Sequence, residues 1–354
     1  MPTEHSRRSF VRGGLAFVLA AWASACATPQ VGAPSPVPST GVPLPTVDVP
    51  PGPYPSPQAP PVSVYPPPVA PIPPAATPNP YPVSSNAQFS GERALAHAAA
   101  QVQWIPRDTG SEGWAKCGDY IADQFAQLGW EVENQRFEYQ GVTCRNIIAK
   151  KGSGPGVILG AHYDARRRAD RDADPAKQQD PVPAANDGAS GVAVLLELAR
   201  TLDPEALGRT IWLAAFDAED NGDLDNWQWI VGSTYMANAL IMAPEAVVVI
   251  DMVGDAAQQL YYEQTSDERI REGVWTVGND LGYSSFIAES KYAVIDDHTP
   301  FLQKGYRAID IIDFDYPFWH TTEDTLDKIS AASLEAVGKT LEEWLLRGGP
   351  GIKS

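Results

Sequence analysis

The sequence predicts an α/β sandwich with a largely parallel sheet over residues 86–354. Two observations carry the prediction. Short, continuous apolar runs alternate with longer amphipathic segments along that stretch, the pattern left by buried parallel strands and the helices that cover them. Metal-capable side chains also recur at the ends of those runs, where open α/β sheets place their ligands.

GERALAHAAAQVQW (91–104) and GWAKCGDYIADQFAQLGW (113–130) carry apolar residues at helical spacing, the second stopping at Gly129. EVENQRFEY (131–139) and TCRNIIAKK (143–151) alternate as strands do, and GSGPG then turns into the apolar run GVILGAHYD (156–164). After a polar excursion, ARRRADRDADPAKQQDPVPA, comes NDGASGVAVLLELARTL (186–202), apolar at nearly every position and so a helix packed on both sides. The pattern repeats: strand RTIWLAAFD, a helix around GSTYMANALIM, strand EAVVVIDMVGD, a charged helix from Ser266, strand RAIDIIDF, and a last helix from Ala331 to Leu346. The excursion at 165–185 reads equally as a lid or as a surface insertion.

What precedes residue 86 cannot belong to this domain. Residues 1–26 have an arginine pair, an apolar run and a small-residue end, the anatomy of an export signal. The pair in SRRSFVRG resembles a twin-arginine signal. Cys26 follows Ala23, Ser24 and Ala25, a context that fits lipidation of Cys26, and with it a membrane anchor, as well as ordinary signal cleavage. Residues 27–85 form a proline-rich linker: Pro29 to Pro82 holds 22 of the 33 prolines and one charged residue, Asp48, so it cannot bury a core and is expected to be an extended, disordered spacer. The expected location is outside the cytoplasm, in the periplasm or at the cell surface. The net charge of −18 excludes nucleic acid as a partner class. Cys117 and Cys144 are the other two cysteines, and in an oxidising compartment they are able to pair.

FDAEDNGDLD packs five carboxylates between Asp217 and Asp225. A calcium loop fails there, because Gln228 stands where the bidentate Glu belongs and a strand leads in. Other strand ends repeat the chemistry. His162 and Asp164 end GVILGAHYD, Asp187 opens the buried helix, Asp251 ends EAVVVID, and His320 follows RAIDIIDF. Two imidazoles and three carboxylates suit one or two zinc ions with a shared carboxylate. Zinc acidifies a bound water, but an adjacent base must take the proton. Glu219 beside Asp220 supplies that base, since neighbouring side chains diverge on a turn.

GAHYD, NDGASGVAVLLELAR, FDAED, VIDMVGD, DDHTPFLQKG and WHTTEDTLDKIS, in that order, resemble metallopeptidase family 28, the zinc aminopeptidases and their glutaminyl cyclase relatives. The resemblance implies a zinc exopeptidase-like three-layer sandwich, with a mixed, mostly parallel sheet of about eight strands between helices. It also implies His162, Asp187, Asp220, Asp251 and His320 as ligands of one or two Zn2+, Asp187 as the bridge, Glu219 as general base, and Asp164 as the partner of His162. Most members carry Glu where Asp220 stands, so the metal is expected to bind more weakly or closer to the turn. Asp297, His298 and Trp319 fall where the resemblance puts groups behind the ligands or in the substrate pocket.

Peptide or protein N-termini are the implied substrates. The first reading is an aminopeptidase that hydrolyses the N-terminal peptide bond. The alternative is a cyclase on a single zinc, in which the substrate's own amine attacks its glutamine side chain. Trp319 before His320, the pair Asp296 and Asp297 before His298, and the insertion DLDNWQWI pull toward the cyclase. A non-catalytic metal- or peptide-binding lipoprotein is a third class. A serine hydrolase built on Ser190 lacks the GxSxG elbow.

Overall fold

The structure, a computed structural model, describes residues 88–352. The export signal, Cys26 and the linker lie outside the described residues. Helices α1 (Gly91–Val102) and α2 (Glu112–Gln127) come first. The Ser111 side chain caps α2 by accepting the N–H of Trp114, and Gly129 leaves it at φ 75. Strands β1 (Glu131–Tyr139) and β2 (Val142–Gly152) form a hairpin whose turn residues, Gln140 and Gly141, both have positive φ, as a twist-matched two-residue turn requires.

Then come β3 (Gly156–His162), α3 (Ala189–Thr201), β4 (Thr210–Phe216), α4 (Val231–Ala239), β5 (Ala246–Asp251), β6 (Leu260–Glu263), α5 (Glu268–Asp280), β7 (Phe286–Tyr292), α6 (Thr299–Gln303), β8 (Ala308–Ile312) and α7 (Ala331–Leu346).

The central sheet has six strands in the order β1-β2-β4-β3-β5-β8. From β4 to β8 they run parallel, and β1 and β2 are antiparallel. The count of about eight therefore holds for the described strands but not for one sheet, because β6 and β7 pair separately. β6, β7 and α6 escaped the sequence reading: β6 has only four residues, β7 is mostly exposed, and α6 is a single turn.

Both faces of the parallel strands are covered, which is why they read as unbroken apolar runs. Val157, Leu159, Leu213 and Val248 face a core shared with α3 and α7, where Leu195, Leu341 and Trp344 are fully buried. Their neighbours Ile158, Ala214, Val247 and Val249 face Met236 of α4 and Phe301 of α6. Truncating Leu195 to Ala in such a core costs about 2–5 kcal/mol. Gly191 lets α3 approach β5: a Cβ there would lie 2.1 Å from the Ile250 carbonyl oxygen.

Cys117 and Cys144 are both buried and unpaired, and burial pushes the Cys117 thiol up to about 12. Ser190 is fully buried and donates to the Asn186 carbonyl at 2.6 Å, which leaves it no nucleophilic role.

Candidate metal centre

The chain leaves β3 for β4 on one side, whereas after β5, on the other side of β3, it returns to the sheet at β8, farther toward the opposite edge. The crevice beyond the carboxyl ends of these strands is a topological switch point. His162 ends β3, Asp187 sits just before α3, Glu219 and Asp220 follow β4, Asp251 ends β5, and His320 lies in the segment after β8.

There the side chains form two groups able to hold a cation, His162 with Asp187 and Asp251, and Asp187 with Asp220 and His320. Asp187 is common to both. Its Oδ1 lies 3.0 Å from His162 Nε2 and its Oδ2 3.5 Å from His320 Nε2. Asp251 Oδ1 is 3.2 Å from His162 Nε2, and Asp220 Oδ1 is 2.8 Å from His320 Nε2. All five residues are buried.

The donor atoms fit a metal. Both ring nitrogens of His162, His320 Nδ1, Asp187 Oδ2 and Asp220 Oδ2 are buried without a hydrogen-bond partner, and unsatisfied buried polar atoms of this kind call for an ion or another explanation. Nitrogen and carboxylate oxygen donors are the set zinc accepts. Burial, followed by the neighbouring Asp187, raises Asp220 well above the usual carboxylate range, and burial with Asp296 raises Asp251 to about 7. Burial opposes a charge on His162, but the facing carboxylates, Asp251 foremost, outweigh it and raise that pKa. Burial, with Arg166 and Arg171 nearby, keeps His320 well below its usual value, so it is a neutral imidazole with a lone pair to donate. A divalent cation would relieve the crowding of carboxylates.

The corners share a backbone device. Gly188, beside Asp187, has φ 96; Ala218, before Glu219, has φ 56; Met252, after Asp251, has φ 45; His320 itself has φ 58. Left-handed backbone at non-glycine residues is costly and clusters at functional sites. Glycine is required at 188, where a Cβ would also meet the Asp164 carbonyl oxygen at 2.8 Å and His162 Cε1 at 2.9 Å.

Asp164 lies 3.6 Å from His162 Nδ1, too far for a hydrogen bond. Its carboxylate instead accepts the N–H groups of Glu219 at 3.0 Å and Asp220 at 3.2 Å. Asp217, two residues before Glu219, accepts from Thr109, Trp114 and the Arg145 N–H, and burial lifts it to about 8.

The cavity against the two groups is narrow, about 30 Å³. Its lining mixes acidic groups, Glu219, Asp296 and the ligand carboxylates, with apolar ones, among them Trp229, Trp319 and Phe314. Trp229 stacks on the His320 ring at 5.9 Å and 8°, and Trp319 packs against it at 3.8 Å. Burial, partly offset by His162, raises Glu219 well above the usual carboxylate range. A larger cavity of about 610 Å³, lined by Gln88, Thr201 and Lys339, contains none of these residues.

The other expected pocket groups fall elsewhere. Asp297 is fully buried and does not line the cavity, and its neighbour Asp296 lines it instead. His298 does not reach the cavity: it is fully buried with Thr265 Oγ1 at 2.9 Å and Glu263 Oε2 at 3.4 Å. One participant, Arg166, went unread, and the insertion DLDNWQWI was read without separating its two tryptophans: Trp229 lines the cavity, whereas Trp227 packs into the core. Arg166 belongs to a run of three arginines with no periodic signal.

Residues 146–345 match the model of peptidase family M28. A glutaminyl cyclase from Porphyromonas gingivalis superposes with a TM-score of 0.69 at 33% identity, over 73% of this chain and 99% of that one. A leucine aminopeptidase precursor from Bacteroides thetaiotaomicron does so with a TM-score of 0.69 at 32% identity, over 73% and 97%. Aminopeptidase YwaD of Bacillus subtilis is 28% identical over 280 residues, 73% of this chain and 57% of its own. The chain thus spans little more than half of that relative's length, and 42% of the Escherichia coli protein YfbL, to which it is 32% identical over 141 residues.

Proposed function

The chain belongs to peptidase family M28 and is an enzyme of its zinc-dependent kind, and from that premise we propose that it cyclises N-terminal glutamine to pyroglutamate, releasing ammonia. One observation carries this reading over simple peptide-bond hydrolysis. Features that distinguish this chain's motifs, Trp319, Asp296 of the Asp296–Asp297 pair and Trp229 of the DLDNWQWI insertion, meet at the metal corner, with Trp229 and Trp319 against His320 and Asp296 lining the same cavity. A cyclisation needs the amine and the side-chain amide held together, and aromatic rings and carboxylates meet at this corner to hold them.

Asp187, Asp220 and His320 would hold the zinc this reaction uses, and zinc there supplies Lewis acidity toward the substrate's side-chain carbonyl. Glu219 faces the cavity beside Asp220 and takes the proton from the α-amine as nitrogen bonds to the side-chain carbon. The same carboxyl returns that proton to the departing amide nitrogen, so the carbon–nitrogen bond breaks to give ammonia and Glu219 ends as it began. Trp229 and Trp319 exclude water, which would otherwise yield glutamate.

The second reading, an aminopeptidase, draws support from the second donor group, His162, Asp187 and Asp251, which a two-metal hydrolase would use. The arginine pair and apolar run of residues 1–26 support an exported enzyme, with exported peptides or protein N-termini as substrates. Turnover of a glutaminyl peptide and of an aminoacyl anilide, measured side by side before and after zinc removal, tests the choice. Cyclisation lost on chelation and restored by zinc supports the proposal; anilide hydrolysis alone overturns it.

A further inference from the structure

The 165–185 insertion leaves β3 and runs against the metal corner. Its root residue, Arg166, has only 3% of its side chain exposed. The guanidinium Nη1 donates to the carbonyl oxygens of Asp220 at 2.8 Å and Gly222 at 3.1 Å. Its Nε and Nη2 grip both carboxylate oxygens of Asp170, at 2.7 and 2.9 Å. That carboxylate faces His320 Nδ1 at 3.8 Å, a nitrogen with no hydrogen-bond partner. Above the same guanidinium, at 4.9 Å, lies the ring of Trp229, which also stacks on the imidazole of His320.

Arg166 therefore touches three groups that orient two ligands. It holds the turn that presents Asp220, the carboxylate behind His320, and the indole on the face of His320. The rest of the insertion fastens to the same corner: the Arg171 N–H donates to the His320 carbonyl at 3.2 Å, and Asp172 accepts from the Thr322 N–H at 3.0 Å and its hydroxyl at 2.6 Å. The Asp220 and His320 corners are 100 residues apart in the chain, and Arg166 ties them together.

We propose that Arg166 is a positioning residue for the Asp187–Asp220–His320 metal group, fixing the separation and orientation of Asp220 and His320 through its planar fork. This rests on the metal reading above, and the experiment keeps the two apart. Lysine carries the charge but not the fork, and cannot span two carbonyls and both oxygens of a carboxylate. Groups behind metal ligands are worth about 10- to 100-fold in affinity.

The zinc dissociation constant of the full chain is measured by competition with a chromogenic chelator, at a temperature where circular dichroism shows each variant folded. Wild-type protein that fails to bind zinc removes the metal reading itself. With wild-type binding in hand, Arg166→Ala and Arg166→Lys are both expected to bind zinc about 10- to 100-fold more weakly. Wild-type affinity in folded Arg166→Ala, or full restoration by Lys, overturns the proposal. Should the Arg166 variants unfold, Asp170→Asn decides, because that side chain is 34% exposed and its loss spares the core. A several-fold weaker zinc affinity supports the proposal and an unchanged one overturns it.

Discussion

The carboxylate of Asp164 accepts the backbone N–H of Glu219 at 3.0 Å, and its second oxygen accepts that of Asp220 at 3.2 Å. A side chain at the end of one strand thus holds the turn that follows its neighbour, and with it the base and one ligand. Asp164→Asn keeps one acceptor and loses the other, so a buried N–H goes unpaired. Thermal unfolding should show a loss of about 1–3 kcal/mol, and zinc affinity should fall along with it. Unchanged stability and zinc affinity would reduce Asp164 to a passive strand end.

Glu219→Gln removes a proton acceptor at constant shape. The variant should keep its zinc by metal analysis and its fold by circular dichroism, yet lose at least ~10²-fold in turnover. Turnover near the wild-type rate on the best substrate would return Glu219 to the status of one more acid in an acidic turn.

Asp187 is the carboxylate common to both donor groups. Asp187→Ala should strip the protein of zinc, while His320→Ala and His162→Ala each disable one group. Comparing bound zinc in the two histidine variants counts the ions. Loss of all zinc in His320→Ala with retention in His162→Ala fits a single-zinc enzyme, whereas about half the wild-type zinc in each means two occupied sites.

Glu263 supplies a pH test away from the metal. Burial pushes its pKa up, but His298, the Thr265 N–H and the Ser266 hydroxyl outweigh that and hold it at about 2, against an ordinary 4.5. A depressed folded-state value means that the stabilisation is complete above pH 4.5 and is lost as the pH falls toward 2. Its size is roughly 3 kcal/mol at neutral pH. Glu263→Gln should therefore lower the melting temperature at pH 7, and the gap to wild type should close in acid. A gap independent of pH would mean that the ionised form is not what matters.

Much of this was legible in the sequence, and the reason is periodicity. β3 and β5 are buried on both faces, α3 is buried along nearly its whole length, and α7 runs from Ala331 to Leu346 as its apolar spacing predicts. His162, Asp187 and Asp251 stand beside such elements, Asp220 follows β4 and His320 follows β8, so their convergence at one edge of the sheet followed from the topology. What irregular backbone does with a group was less legible. Asp296 and the insertion that carries Trp229 were singled out, but not which member of each pair reaches the cavity; Arg166 had no signal, because its place depends on tertiary contacts such as the Arg166–Asp170 pair, and His298, which looks like a site residue by position, is turned into the Glu263 pocket instead. The positive φ of Ala218 and Met252 had no signal at all, since neither residue type favours that conformation.

The central claim is that the zinc-loaded enzyme closes an N-terminal glutamine onto itself. Mass spectrometry of a peptide beginning with glutamine, incubated with the zinc-loaded protein, tests it most directly. The expected product is the same peptide lighter by one ammonia, formed by wild-type protein and not by Glu219→Gln. Release of free glutamine with a peptide shorter by one residue, and no ammonia-loss product, would contradict the account and make the enzyme an aminopeptidase.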